Sequence, residues 1–298
     1  MEKVNTSLIT DDEHIFTGHN ACPGCGAALC MRYVLKVLGS KTQMVIAPSC
    51  WTILAGMHPH HSLNIPVCHT IFAATAAVAT GLTRGLQRKG DNETTVVAWA
   101  GDGGTFDIGI QSISGAAEKN ENFIFVCYDN EGYMNTGIQR SSSTPYKCKT
   151  TTTPSPHGKQ EPKKNFLEIM AAHNVPYVAS AAISHPHDFM RKIKKAKETW
   201  GFKFIHLLTA CQTGWGFDAE KTIDMTRMAV ESKSFNLYEV EDGFKYTVNY
   251  YPEKEVSIAD YIKNQRRFSE LTEEDIQKEQ EEVDAKWNRL LMKERCSF

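Results

Sequence analysis

The stretch from Thr94 to Thr136 constrains the fold more than any other part of the chain. It opens with Thr94-Thr95-Val96-Val97-Ala98-Trp99-Ala100, a β-branched and apolar run that reads as a buried strand. The run breaks at Gly101-Asp102-Gly103-Gly104 and resumes as Thr105-Phe106-Asp107-Ile108-Gly109-Ile110-Gln111, which reads as a helix. A second buried strand, Phe123-Ile124-Phe125-Val126-Cys127-Tyr128, ends at Asp129-Asn130-Glu131-Gly132. Strand, Gly-rich turn, helix and strand make a βαβ unit, and open parallel sheets bind ligands beyond the carboxyl ends of such strands.

The residue types at those ends suit one chemistry. Glycines 101, 103 and 104 let the backbone approach an anion, and the helix that follows offers unpaired amides. The Asp102 carboxylate would repel a diphosphate unless a divalent cation lay between them. Asn130 adds an amide oxygen and Gly132 a backbone carbonyl, an all-oxygen set suited to Mg²⁺. Gly-Asp-Gly alone is equally an ordinary turn; the Asp-Asn pair at the next strand end tips the reading toward a site.

Gly101-Asp102-Gly103 followed by Asn130 resembles the signature of thiamine-diphosphate enzymes. The continuation from Tyr128 through Asn135-Thr136-Gly137 to Ser142 is similar to the β subunit of the pyruvate (2-oxoacid):ferredoxin oxidoreductases, and the resemblance runs from about His19 to Gly216. It implies an α/β fold, a three-layer arrangement around a mostly parallel sheet of the thiamine-diphosphate-binding type, with a C-terminal helical extension. It implies CoA-dependent oxidative decarboxylation of a 2-oxoacid, pyruvate first, with electrons passed through a 4Fe-4S cluster to ferredoxin. Asp102, Asn130 and Gly132 then hold Mg²⁺, with Gly101, Gly103, Gly104 and Asn135 against thiamine diphosphate. Asn135 is the expected hydrogen-bond partner of substrate, and His69 is expected to border the same pocket.

Cysteines carry a second set of motifs. Cys22-Pro23-Gly24-Cys25 can aim two thiolates at one centre, and alone it fits zinc, an iron–sulfur cluster or a dithiol pair. Cys50 follows the first expected strand, and Cys211 the last strong one. The resemblance matches Cys22, Cys25, Cys50 and Cys211 to the ligands of one 4Fe-4S cluster. Cys30 and Cys127 read as packing, Cys68 lies near the expected site, and Cys148 and Cys296 fall in a loop and a tail.

The chain has 298 residues, 41% of them hydrophobic, enough for one large α/β unit. A formal charge of −2 gives no reason to expect nucleic acid. Met1 to Asn5 lead into Asp11-Asp12-Glu13 without the pattern of a signal peptide, and the apolar run from Ile71 to Leu82 is too short to span a bilayer. With nine cysteines, this points to reduced thiols or metal ligands in a cytoplasmic protein. We expect a polar arm over residues 1–21, a cofactor- and cluster-binding domain over 22–234 and an extension over 235–298. In that extension Lys245 to Tyr250 reads as an outlying strand, and Thr272 to Lys293 as an exposed charged helix. Arg140 to Lys164 is a long loop, functional or disordered. Arg191, Lys192, Lys194, Lys195 and Lys197 read as the solvated face of a helix, and His58, His60 and His61 as a polar loop.

Three features bear on function beyond the cofactor. Pyruvate-using relatives tend to carry an acidic or amide pair after Phe72, where this chain has Ala73-Ala74, so a branched-chain, aryl or oxalate substrate is the alternative. Neither Glu118 nor Glu121 falls where a carboxylate could activate the aminopyrimidine ring, and the resemblance implies that another subunit supplies it. The chain also has a single Cys-x-x-Cys, so partner subunits of the α, γ and δ type are expected to carry further clusters. The competing readings are a non-redox thiamine lyase with structural zinc and a catalytically silent scaffold.

Overall fold

Strands buried on both faces need apolar residues at every position, and the central runs of this chain meet that demand. In the computed structural model, which describes residues 9–254, 256–268 and 270–297, they form β1 (Thr42–Ile46), β3 (Thr95–Gly101), β4 (Ile124–Asp129), β5 (Tyr177–Ala182) and β6 (Lys203–Leu208). With β2 (Val67–His69) they are all parallel, and the full sheet has eight strands in the order β2-β1-β3-β4-β6-β5-β7-β8. Met1 to Leu8 of the expected arm lie outside the described residues.

Alternate residues of each strand face opposite helix layers. Met44, Ile46, Val97, Trp99, Ile124 and Val126 pack with α1 (Gly26–Leu38) and α6 (Pro186–Glu198). Val45, Val96, Ala98, Phe125 and Cys127 pack on the other face with α3 (Thr75–Arg88), α4 (Ile110–Glu118) and α5 (Phe166–Ala171). This is the expected three-layer α/β sheet. The chain passes outward from β1 to β2 on one side, and from β3 to β4 on the other. A crevice therefore opens between the ends of β1 and β3, the switch point at which such sheets bind ligands.

Three expectations are corrected. The arm is not free: Ile15 is buried and pairs with Leu63, and Lys36 of α1 reaches Glu13 at 2.9 Å. The basic residues of α6 are not a solvated face. Lys192 is fully buried, donating to Asp188 at 2.6 Å and to the Ser180 carbonyl at 2.8 Å, while Lys195 meets Glu239 and Glu241, each at 3.2 Å. Those carboxylates arrive on β7 (Tyr238–Glu241), an antiparallel strand that pairs with β5, so the segment after Phe235 continues the sheet. The expected outlying strand is β8 (Lys245–Val248), which closes that edge.

The last helix, α10 (Glu273–Arg295), is charged as expected but not merely exposed. Of its large apolar residues, Val283, Trp287 and Leu290 fall at helical spacing and are buried, while Ile276 and Leu291 are half-buried and Met292 is exposed. That stripe, not the charged faces, holds the helix. Trp287→Ala should cost about 3 kcal/mol of unfolding free energy, whereas Arg289→Ala on the exposed side should stay within about 0.5 kcal/mol. Urea denaturation of the two variants checks the contrast.

Candidate functional site

Each of three strands ends in one of the expected motifs at the same corner of the sheet. β1 leads into Pro48-Ser49-Cys50, β3 into Gly101-Asp102-Gly103-Gly104, and β4 into Asp129-Asn130-Glu131-Gly132. A cavity of about 160 Å³ lies between them, lined among others by Cys50, Gly103, Gly104, Asn130, Gly132 and Asn135. Gly101 also lines it, and Asp102 is buried beneath with no exposure. After Asp102 the backbone makes one π-helical turn, Gly103–Asp107, before α4 begins. Such turns interrupt regular helices mainly at functional positions. Gly103 is required there, since a Cβ would lie 2.3 Å from ring carbons of Tyr133.

The Asn130 amide links the two turns. Turned one way, the Asn130 amide places its oxygen 2.9 Å from the Gly132 carbonyl and 3.1 Å from Asp102 Oδ1. Turned the other way, its NH₂ group donates to both. The same distances thus serve either a hydrogen-bonded resting turn or three oxygens around a cation. Adjacent ligands of an octahedral Mg²⁺, each at roughly 2.0–2.1 Å, stand about 2.9 Å apart. The residues fit that ion. Burial and the neighbouring Asp129 hold the Asp102 carboxyl well above the usual carboxylate range, a charge deficit that a divalent cation would reverse.

A charged network absent from the sequence reading supports the turn. Burial alone would raise the Asp129 pKa, but Lys163, His206 and Ser143 together hold it below its ordinary value. Lys163 Nζ lies 2.9 Å from Asp129 and 2.8 Å from Glu131, and His206 Nε2 lies 2.7 Å from Asp129. Glu131 is itself buried, and Arg267 reaches its other oxygen at 2.6 Å. The backbone of Glu131 is left-handed, with φ +67°, a strained conformation for a residue with a side chain. Its carbonyl accepts from Thr144 at 2.8 Å, and its amide donates to Asp129 Oδ1 at 2.9 Å.

Much of this support comes from the loop 140–164. Ser141 donates to Asp102, and Ser143 donates to Asp129 at 2.6 Å. The only sequence signal for these residues was a polar loop too long for a compact domain. Nothing local marked Arg267 or Lys163 as partners of a residue more than thirty positions away.

The four cysteines come from three separate segments, and among the described residues no group of three or more cysteine, histidine or acidic side chains stands ready to hold a metal ion. Cys22 and Cys25 precede α1, Cys50 begins α2 (Cys50–Leu54), and Cys211 precedes α7 (Gln212–Trp215). Each of Cys25, Cys50 and Cys211 feels the charge of others in the set. Burial, then Cys211, Cys25 and Cys22, push the Cys50 thiol up to about 12. Burial raises Cys211 to about 11, although the Gly214 amide donates to its sulfur at 3.3 Å. Gly24, at φ +70°, lets this loop press on Ala219, where a Cβ would lie 2.2 Å from the carbonyl oxygen. Cys30 and Cys127 are fully buried, and Cys148 is buried near Arg267.

His69 stands apart. It ends β2, the edge strand beyond β1, and its exposed ring meets His61 edge-on at 5.9 Å. It does not line the cavity. Cys68 is likewise exposed. Asn135 is exposed at the cavity wall.

Residues 47–207 match the thiamine pyrophosphate enzyme family, C-terminal TPP binding domain, and that class is what the switch-point crevice and its paired turns define. The chain is 51% identical over 282 residues to pyruvate synthase subunit PorB of Methanothermobacter thermautotrophicus, covering 93% of this chain and 97% of that one. It is 46% identical to ketoisovalerate oxidoreductase subunit VorB of Pyrococcus horikoshii, covering 97% and 96%. The chain belongs to this PorB/VorB family, the β subunits of the 2-oxoacid:ferredoxin oxidoreductases. Its fold is also that of a 2-oxoglutarate:ferredoxin oxidoreductase chain from Magnetococcus marinus, with a TM-score of 0.58 at 24% identity over 76% of this chain and 81% of that one. Among the described residues no helix is long and apolar enough to cross a membrane.

Lys163 joins two buried carboxylates, so its loss removes the cation they share and leaves Asp129 to His206 and Glu131 to Arg267. Lys163→Met should destabilise the chain by about 3 kcal/mol, measured as a shift in the denaturation midpoint of the purified protein.

Proposed function

We propose that this β subunit holds thiamine diphosphate through Mg²⁺, carries one 4Fe-4S cluster, and takes part in CoA-dependent oxidative decarboxylation of pyruvate. The observation that carries the cofactor reading is the Asn130 amide, which stands 2.9 Å from the Gly132 carbonyl and 3.1 Å from Asp102 Oδ1. Gly103 and Gly104 present backbone to a diphosphate beside them, and Asn135 at the cavity wall donates to the substrate. Bound thiamine diphosphate supplies the carbanion chemistry that a 2-oxoacid needs to lose CO₂. The chain contributes orientation, a metal clamp and a low-dielectric floor of buried residues beneath the turns.

Cys22, Cys25, Cys50 and Cys211 hold the cluster in this reading. Cys50 lines the same cavity as Gly103 and Gly132, which favours a redox outcome over a hydrolytic one. The solved Magnetococcus marinus relative was captured with 2-oxoglutarate and coenzyme A, which supports CoA as the acyl acceptor here. Ferredoxin is the proposed electron acceptor, through clusters on partner subunits. A partner also supplies the activating glutamate and covers the cavity mouth, where Ile53 is 51% exposed. The slightly higher identity to PorB than to VorB favours pyruvate, whereas Ala73-Ala74 leaves room for a branched-chain acid.

Two experiments test this. In the assembled complex, Asp102→Ala should abolish Mg²⁺-dependent binding of thiamine diphosphate by calorimetry while iron content stays normal. Cys211→Ser should do the reverse, altering iron content or the EPR of the reduced cluster, with Cys30→Ser as the silent control. Normal cofactor binding by Asp102→Ala would sink the metal assignment. An anaerobic assay of the complex against a panel of 2-oxoacids should give the highest kcat/KM for pyruvate, and a clear preference for a branched-chain acid would overturn that choice. The chain without partners should not reduce ferredoxin in the same assay.

A further inference from the structure

Trp215 is fully buried, and its indole N–H donates to the Asn130 carbonyl at 2.8 Å. It closes α7, the short turn that starts immediately after Cys211. The Arg267 guanidinium lies 3.8 Å from the centre of the Trp215 ring, and its Nη2 is 2.6 Å from Glu131. Met134, just past Gly132, presses on the same segment, since a Cβ at Gly214 would lie 2.2 Å from its sulfur. The turn bearing Asn130 and Gly132 is therefore joined to the turn bearing Cys211 by a hydrogen bond, a stacked cation and a close contact.

Folding alone does not require this pairing. Trp51 and Trp99 are equally buried, and the N–H of each has no partner. At Trp215 the N–H is spent on the carbonyl of the residue whose side chain faces Asp102. That bond fixes the peptide plane between Asn130 and Glu131, from which the Asn130 side chain and the backbone toward Gly132 both extend. Trp215 itself does not line the cavity.

We propose that Trp215, braced by Arg267, is a positioning residue that sets the metal-binding geometry of the Asn130–Gly132 turn and fastens it to the Cys211 turn. The inference rests on the reading of Asp102, Asn130 and Gly132 as Mg²⁺ ligands. Coupling of this kind keeps a metal-bound cofactor and a cluster in constant register without any side chain reaching between them.

The test is Trp215→Phe in the assembled complex, which keeps a ring beneath Arg267 and removes the N–H. The Mg²⁺ concentration for half-maximal binding of thiamine diphosphate should rise about tenfold, the effect of one hydrogen bond to a buried carbonyl. Amide exchange in the peptide spanning 128–134 should also rise in the cofactor-free complex. A purely structural role would lower the melting temperature and leave both the Mg²⁺ requirement of the folded fraction and the local exchange unchanged, which would overturn the proposal. Where Trp215→Phe does not assemble, Arg267→Lys keeps the charge beside Glu131 and removes the planar stack. It should raise the Mg²⁺ requirement about threefold, and an unchanged requirement would again overturn the proposal. A wild-type complex that binds thiamine diphosphate without Mg²⁺ would refute the ligand assignment itself, a result distinct from wild-type and variant sharing one Mg²⁺ dependence.

Discussion

Lys163 and Arg267 neutralise the two oxygens of one buried carboxylate, Glu131, and the candidate site depends on that pairing. A buried ion pair is stabilising only when every charge in it is matched, because each ion has lost its water. Here the matching is close to complete, with Asp129 shared between Lys163 and His206. The network holds Glu131 in a left-handed conformation that an isolated turn would not keep. With Glu131 turned inward, the Asn130 amide stands between Asp102 and the Gly132 carbonyl. The strain at one residue is what gives its two neighbours a common focus.

That focus lies where the sheet topology leaves room. Because the chain leaves β1 and β3 in opposite directions, no crossover helix covers the gap between their ends. Cys50 from β1, the glycines after β3 and the Asp-Asn turn after β4 all open into it. Cys211 after β6 lies along the same sheet edge, two strands from β3. A parallel sheet delivers every strand end to one side, which is why two chemically unrelated ligand sets can share an edge.

The other edge of the sheet is finished by the C-terminal segment. β7 and β8 add antiparallel strands, and Glu239 of β7 takes up Arg191 and Lys195 of α6. Segment 266–268 then returns to the site and places Arg267 over Trp215. The region that looked like an appendage therefore contributes a residue to the support of the Asn130–Gly132 turn. The same logic applies to the loop 140–164, whose serines hold Asp102 and Asp129.

The local sequence determined the central βαβ unit and the two turns, whereas the set of four candidate cluster cysteines came from the family resemblance. Those signals are short-range: apolar runs set the strands, and glycine with an acidic or amide residue sets the turns. Sequence alone also separated Cys30 and Cys127, which pack in the core, from the cysteines at strand and helix ends. Only the tertiary structure decided which distant charges meet. Lys195 looked solvated because Glu239 and Glu241 reach it only through the pairing of β7 with β5, and Lys192, although Asp188 lies one turn away on the same helix, is buried by packing against Ser180 of β5. His69 was expected at the cavity, but the strand order puts its strand at the edge. Glu131 read as a bystander after a metal ligand because nothing in its neighbourhood announces Lys163, Arg267 or Trp215. Periodicity and turn chemistry act over a few residues, whereas a buried charge is matched by whatever the folded chain brings within about 3 Å, and that is decided by topology.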